Sequence, residues 1–120
     1  MPPDAFLADC RARLAFDLLA NTWNPVVLRS LRDGPHRPSD LRRHIGGISS
    51  KVLTETLRRL TADGLVERRA ATPSRVEYAL TDLGRTLLAP IDAMGAWAFA
   101  HGDEVLAARE ETCVRARGGR

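Results

Sequence analysis

The chain has 120 residues, 44% of them apolar, enough for one hydrophobic core without disulfides or metals and too few for a second globular domain, so a single domain over 1–120 is expected. Eighteen basic residues against fifteen acidic ones leave a net charge of only +3, yet nine basic side chains face four acidic ones between Arg37 and Arg75, the concentration a polyanionic partner such as nucleic acid calls for. Cys10 and Cys113 are too far apart for a disulfide framework, and no cationic leader or run of roughly 20 apolar residues is present, so a soluble protein of a reducing, cytoplasmic compartment is expected, with no membrane partner.

Leu14, Leu18 and Leu19, with Ala15 and Phe16, fit an amphipathic helix over about 9–20. Asn21-Thr22 breaks it and Asn24-Pro25 restarts the chain. Pro25 suits a first helical turn, and Val26, Val27, Leu28 and Leu31 form the inward face of that second helix, which Asp33-Gly34-Pro35 ends. Ser39 is the expected N-cap of a short third helix carrying Leu41 and Ile45, and Gly46-Gly47 supplies a turn. Ser49 caps a fourth helix running to about Asp63, with Gly64 as its stop. At 100° per residue Leu53, Leu57 and Leu60 share a narrow arc, while Lys51, Thr54, Glu55 and Arg58 fall on the opposite side.

Leu65 to Arg69 reads as a strand, and Arg75 to Leu80 as a second in which Val76, Tyr78 and Leu80 share a face. The turn between them contains Pro73, which makes a hairpin with arginines at both feet. Thr81 caps a last helix with the stripe Leu83, Leu87, Ile91, Met94 and Ala98, kinked at Pro90. Beyond Arg109 the chain reads as a frayed polar tail. The fold class is therefore mainly α with a small β-hairpin: a winged helix-turn-helix, its helix-turn-helix at about 39–63 and its wing at about 65–80, flanked by helices at about 9–20 and 82–108.

A winged helix is used chiefly to read duplex DNA, by phosphate contacts that position it and base-edge contacts that specify the site. Lys51 and Arg58 could reach guanine, Glu55 could accept from cytosine, and Thr54 could touch a thymine methyl or a phosphate. Ser49 and Ser50 offer hydroxyl and N–H groups at a helix N-terminus, suited to a phosphate, although capping alone explains them equally well. Arg68, Arg69 and Arg75 are phosphate or minor-groove candidates on the wing. Arg42 and Arg43 could contact the backbone from the preceding helix, or simply be solvated.

Cys10 has Arg11 and Arg13 close by, which favours a reactive thiolate; an inert, partly buried cysteine is the alternative. Phe16, Trp23, Trp97 and Phe99 fit core or interface packing better than a small-molecule cavity. His36, His44 and His101 share no ligand spacing, so no metal or other cofactor is expected. No local motif supplies a nucleophile, a base and an orienting group, and there is no phosphate loop, so the chain does not read as an enzyme.

Several strings resemble the HxlR-type regulators, bacterial winged-helix transcription factors related to the MarR group. They are Gly47-Ile48-Ser49-Ser50-Lys51-Val52-Leu53-Thr54, Leu57-Arg58-Arg59-Leu60, Asp63-Gly64-Leu65-Val66-Glu67-Arg68 and Glu77-Tyr78-Ala79-Leu80-Thr81-Asp82-Leu83-Gly84. The likeness spans about Cys10 to Trp97. It departs at Cys10-Arg11, where the family often has Cys-Pro, and at Ala20-Asn21-Thr22-Trp23, where it often has Gly-Gly-Lys-Trp. The resemblance implies a homodimer joined through the first and last helices, with residues 50–62 as recognition helix. It also implies a switch, either a small-molecule effector or oxidation at Cys10. The expected function is a sequence-specific transcriptional regulator on an inverted-repeat operator. The alternative is a winged-helix protein-protein interaction module without sequence-specific DNA binding.

Overall fold

In the computed structural model, which describes residues 10–118, the chain runs through α1 (Cys10–Ala20), α2 (Trp23–Ser30), α3 (Pro38–His44), α4 (Ser50–Ala62), the antiparallel strands β1 (Val66–Thr72) and β2 (Arg75–Leu80), α5 (Asp82–Arg85) and α6 (Leu88–Gly118). This is the mainly helical winged helix-turn-helix expected. The predicted start of α1 at Asp9 lies outside the described residues. The chain divides into two compact units, Met1–Leu88 and Ala89–Arg120.

The core of the first unit is built from local periodicity. Val27, Leu28 and Leu31 lie within about 100° of one another around α2 and are buried with Leu41, Ile45, Leu53, Leu57, Leu60, Leu65 and Leu80. Val26, expected inward, points about 150° from the centre of that arc and is exposed. α4 packs on α2, α3 and β1, which makes it the central element, and each leucine it buries contributes about 1.5–3 kcal/mol. Asn24, itself buried, ties α2 to α1 by donating from Nδ2 to the Leu18 carbonyl at 2.9 Å. Asn21 ends α1 by accepting from the Trp23 amide at 3.0 Å, an Asx turn.

The third helix starts two residues earlier than expected. Arg37, extended at φ −76° and ψ 154°, is its N-cap, and Pro38 takes the first helical position. The ring presets φ there and the missing N–H is not needed, so Ser39 is drawn inside the helix and caps nothing. Ser49 does cap α4: its Oγ accepts from the Val52 amide at 3.1 Å. At the other end Gly64 has φ +76°, the Leu65 amide donates to the Leu60 carbonyl at 3.0 Å and the Gly64 amide to Thr61 at 3.1 Å. Those two bonds make a Schellman motif, and buried Leu60 and Leu65 are its hydrophobic contact pair.

The first strand is longer than predicted, because β1 continues to Thr72 and leaves only Pro73-Ser74 for the turn. Arg75 therefore stands at the tip and not at a foot. The register pairs Val66 with Leu80, Arg68 with Tyr78 and Arg69 with Glu77, and an irregularity between Ala70 and Thr72 absorbs the odd residue. β2 is also held from its other edge, where the His36 amide donates to the Tyr78 carbonyl at 3.0 Å and the Tyr78 amide to that of His36 at 2.8 Å.

Both ends of the wing are fastened to the end of α4. Thr81 donates from Oγ1 to the Gly64 carbonyl at 2.6 Å and from its amide to the Leu65 carbonyl at 3.1 Å, while the same Oγ1 accepts from the Gly84 amide at 3.0 Å to cap α5. Buried Gly84 sits so close that a Cβ there would stand 2.0 Å from the Leu65 carbonyl oxygen.

The predicted last helix, kinked at Pro90, is instead two helices broken at Thr86-Leu87, and Pro90 falls in the first turn of α6. Pro90 has no N–H to give the Thr86 carbonyl, so the ladder is interrupted where a new helix can begin at no cost. The tail also differs from expectation, being helical to Gly118. Arg115 reaches Glu111 one turn back at 3.2 Å, and Arg115 and Arg117 lie in the last turn, where cations oppose the helix dipole.

Candidate nucleic-acid interface

α4 presents an unbroken polar face. Lys51, Thr54, Glu55 and Arg58 are all exposed, as are Ser49 and Ser50 at its start and Arg42 and Arg43 on α3. Thr54 is held along the helix, its Oγ1 donating to the Ser50 carbonyl at 2.8 Å. The leucines on the far side are spent on the core, so this face has no packing role within the first unit.

The arginines are not equivalent. Arg43 is paired with Asp40 one turn back, and that hydrogen bond holds the Asp40 carboxyl below the usual carboxylate range. Arg69 is paired along its own strand with Glu67, Nε donating to Oε1 at 2.8 Å. Lys51, Arg58, Arg68, Arg75 and Arg42 have no carboxylate partner among the described residues. Such pairs at an exposed surface contribute little to stability. Their consequence lies in charge: a phosphate must displace Glu67 to claim Arg69, whereas Arg68 is free to meet it.

Strand alternation explains the difference between the two neighbours. Val66, Arg68 and Ala70 share one face of the ribbon with Leu80, Tyr78 and Val76, while Glu67 and Arg69 share the other with Glu77. The first of these faces is buried at its base. Further out it opens into a cleft of about 430 Å³ lined by Arg68 and Tyr78 from the wing and Thr54, Arg58, Thr61 and Ala62 from α4. Sequence reading placed Arg58 and Arg68 on separate elements and gave no sign that they line one cleft.

A second, apolar groove of about 270 Å³ lies among Leu14, Leu18, Asp63, Leu65, Leu83, Thr86 and Leu87. Leucines make its wall, and neither Phe16 nor Trp23 is part of it. The side chain of Cys10 lies outside the described residues. His36 and His44 stand with ring centroids 5.6 Å apart, a proximity their sequence spacing did not suggest, but no cluster of three or more His, Cys, Asp or Glu that could hold a metal occurs among the described residues. No described helix is long and apolar enough to cross a membrane.

The HxlR-like helix-turn-helix family model matches residues 18–105, the stretch that holds both the polar face of α4 and the wing. The chain belongs to the HxlR-like helix-turn-helix family. Like its relatives in that family it is a transcriptional regulator of the helix-turn-helix type and not an enzyme. The HTH-type regulator YtfH of Escherichia coli (strain K12), itself uncharacterized, is 40% identical over 108 residues, 88% of this chain and 86% of its own length. Among solved structures, the redox regulator HypR in its reduced form matches this HxlR-like chain with a TM-score of 0.73 at 31% identity, covering 81% of this chain and 98% of HypR. The quinone-bound YodB from B. subtilis matches with a TM-score of 0.67 at 37% identity, covering 75% of this chain and 97% of that one.

Proposed function

We propose that this protein is a homodimeric regulator that binds an inverted-repeat operator, with the outer face of α4 in the major groove and the wing along the backbone. The observation that carries this reading is the polar, unpartnered face of α4 beside a wing fastened to the same helix. Lys51, Thr54 and Glu55, in its N-terminal half, meet base edges. Ser49, Ser50, Arg42, Arg43, Arg69 and Arg75 meet phosphates, and Arg43 and Arg69 exchange their carboxylate partners to do so.

Support for a dimer comes from apolar side chains left in solvent. Leu14 and Phe16 of α1, and Met94, Trp97, Phe99, Leu106 and Val114 of α6, are all more than half exposed. Large apolar side chains exposed in that number are the kind of surface another chain covers. Two recognition helices related by a two-fold axis address half-sites roughly 34–36 Å apart. Substituting Lys51 by alanine should weaken the preferred duplex by about 1–3 kcal/mol and relax the preference at one base pair per half-site, with the melting temperature unchanged. Competition binding against single-base variants checks this; an unaltered preference would remove Lys51 from the reading set.

Switching is proposed at the helices outside the reading head. HypR is a redox regulator and YodB has been seen with quinone bound, and Cys10 opens α1 four residues before exposed Leu14, beside Arg11 and Arg13. Oxidation or a small molecule at that helix alters the spacing of the two reading heads. Mild oxidant should weaken duplex binding of the natural protein and leave Cys10→Ser unaffected. Identical responses in a gel-shift titration would remove Cys10 as the sensor.

A further inference from the structure

We propose that the cleft between α4 and the wing seats one phosphodiester of a duplex DNA strand between Arg58 and Arg68, so that Arg58 holds the backbone and does not read a base. The inference rests on the DNA-binding reading above and sharpens it, because the sequence alone made Arg58 a guanine reader.

Three observations carry it. Thr54, Arg58, Thr61 and Ala62 recur at helical spacing and form the row of α4 that lines the cleft, whereas Arg68 reaches the same space from the inward face of the ribbon. Arg58 lies eight residues beyond Ser50, roughly 12 Å along the helix axis, while the base edges are addressed chiefly from the N-terminal residues of a recognition helix. Finally, both guanidinium groups are exposed and have no carboxylate partner, in contrast to Arg43 and Arg69. Two like charges lining one cleft repel until an anion enters, and a single phosphate between them relieves both. A strand leaving the major groove beside α4 and passing under the wing crosses this cleft, which has room for a phosphate and its flanking sugar atoms.

The test uses the full chain and a duplex recovered from random sequence by the natural protein, with affinity measured over a range of KCl concentrations. Arg58→Gln and Arg68→Gln should each lower affinity about tenfold near physiological salt and reduce the slope of log affinity against log salt by about 0.9, and the double variant by about twice that. The selected sequence should stay the same in all three, and melting temperatures should not move. A single neutral methylphosphonate walked along the duplex should reveal one position per half-site that weakens the natural protein and leaves the double variant unaffected. The proposal is overturned if Arg58→Gln changes the selected base at one position, or if either variant keeps the full salt slope. Should the natural protein recover no duplex at all, the DNA-binding reading itself fails, an outcome distinct from variants that bind like the natural protein.

Discussion

Gly84→Ala is expected to lower the unfolding free energy by about 3 kcal/mol, a loss of roughly 12 °C in melting temperature for a chain of this size. The cost is steric. A methyl group would stand 2.0 Å from the Leu65 carbonyl oxygen, 3.0 Å from its carbon and 3.3 Å from a methyl of Leu80, and the first of these neighbours is backbone that cannot turn aside. Leu65 is also pinned, since its carbonyl accepts from the Thr81 amide and its own amide completes the C-cap of α4. Relief therefore requires α5 to lift away, and that motion strains the Gly84 amide bond to Thr81 Oγ1 and the Thr81 bond to Gly64. Thermal unfolding followed by circular dichroism checks the magnitude. Beyond the loss of stability, the variant should bind duplex DNA more weakly at temperatures where it is fully folded, because the wing has lost its fastening to α4. A variant that melts like the natural protein would show that the contact between α5 and Leu65 is not close.

Leu57→Ala should cost about 2–5 kcal/mol, the range for truncating a buried leucine when the site collapses only in part. Leu57 is 2% exposed, in the middle of the one helix that packs on α2, α3 and β1, so few neighbours can move in without disturbing the rest. Set against a total stability of about 5–15 kcal/mol, this leaves the variant partly unfolded at growth temperature if the domain is at the lower end. The adjacent residue gives the control. One step along the helix turns the side chain by 100°, from the core to solvent, so Arg58→Gln should melt within about 0.5 kcal/mol of the natural protein. Urea unfolding of the two variants separates packing from recognition. Equal midpoints would contradict the assignment of the two faces of α4.

Most of the fold was legible because its signals are local. The Ser49 cap, the Leu53, Leu57 and Leu60 arc and the Gly64 stop each depend on residues within one or two turns, and the structure keeps all three. Errors arose where two local rules competed. Ser39 is a good cap, but Pro38 before it is a better first helical residue, and the cap moved to Arg37. Pro90 reads as a kink inside a long stripe, yet a proline costs least at a helix start, and the helix divided ahead of it. In the tail, Glu111 and Arg115 at one-turn spacing supply helical support that composition alone conceals.

The candidate interface was legible as a list of residues and not as a division of labour. Alternation along β1 puts Arg68 and Arg69 on opposite faces, but which face meets α4 depends on how Thr81 and Leu65 fasten the ribbon, a tertiary fact. Likewise the pairing of Arg69 with Glu67, and of Arg43 with Asp40, sets which cations are free to take a phosphate. The apolar groove among Leu14, Leu18, Leu65, Leu83 and Leu87 brings together residues more than 70 positions apart and had no signature in the sequence.

The central claim, that α4 and the wing together read duplex DNA as a two-fold pair, is tested most directly by selecting binding sites for the purified full chain from a pool of random duplexes. The account predicts an enriched inverted repeat whose half-site centres lie about 10–10.5 base pairs apart, or a multiple of that spacing. A pool that stays random after selection, or one enriched in a single half-site with no symmetric partner, would contradict it.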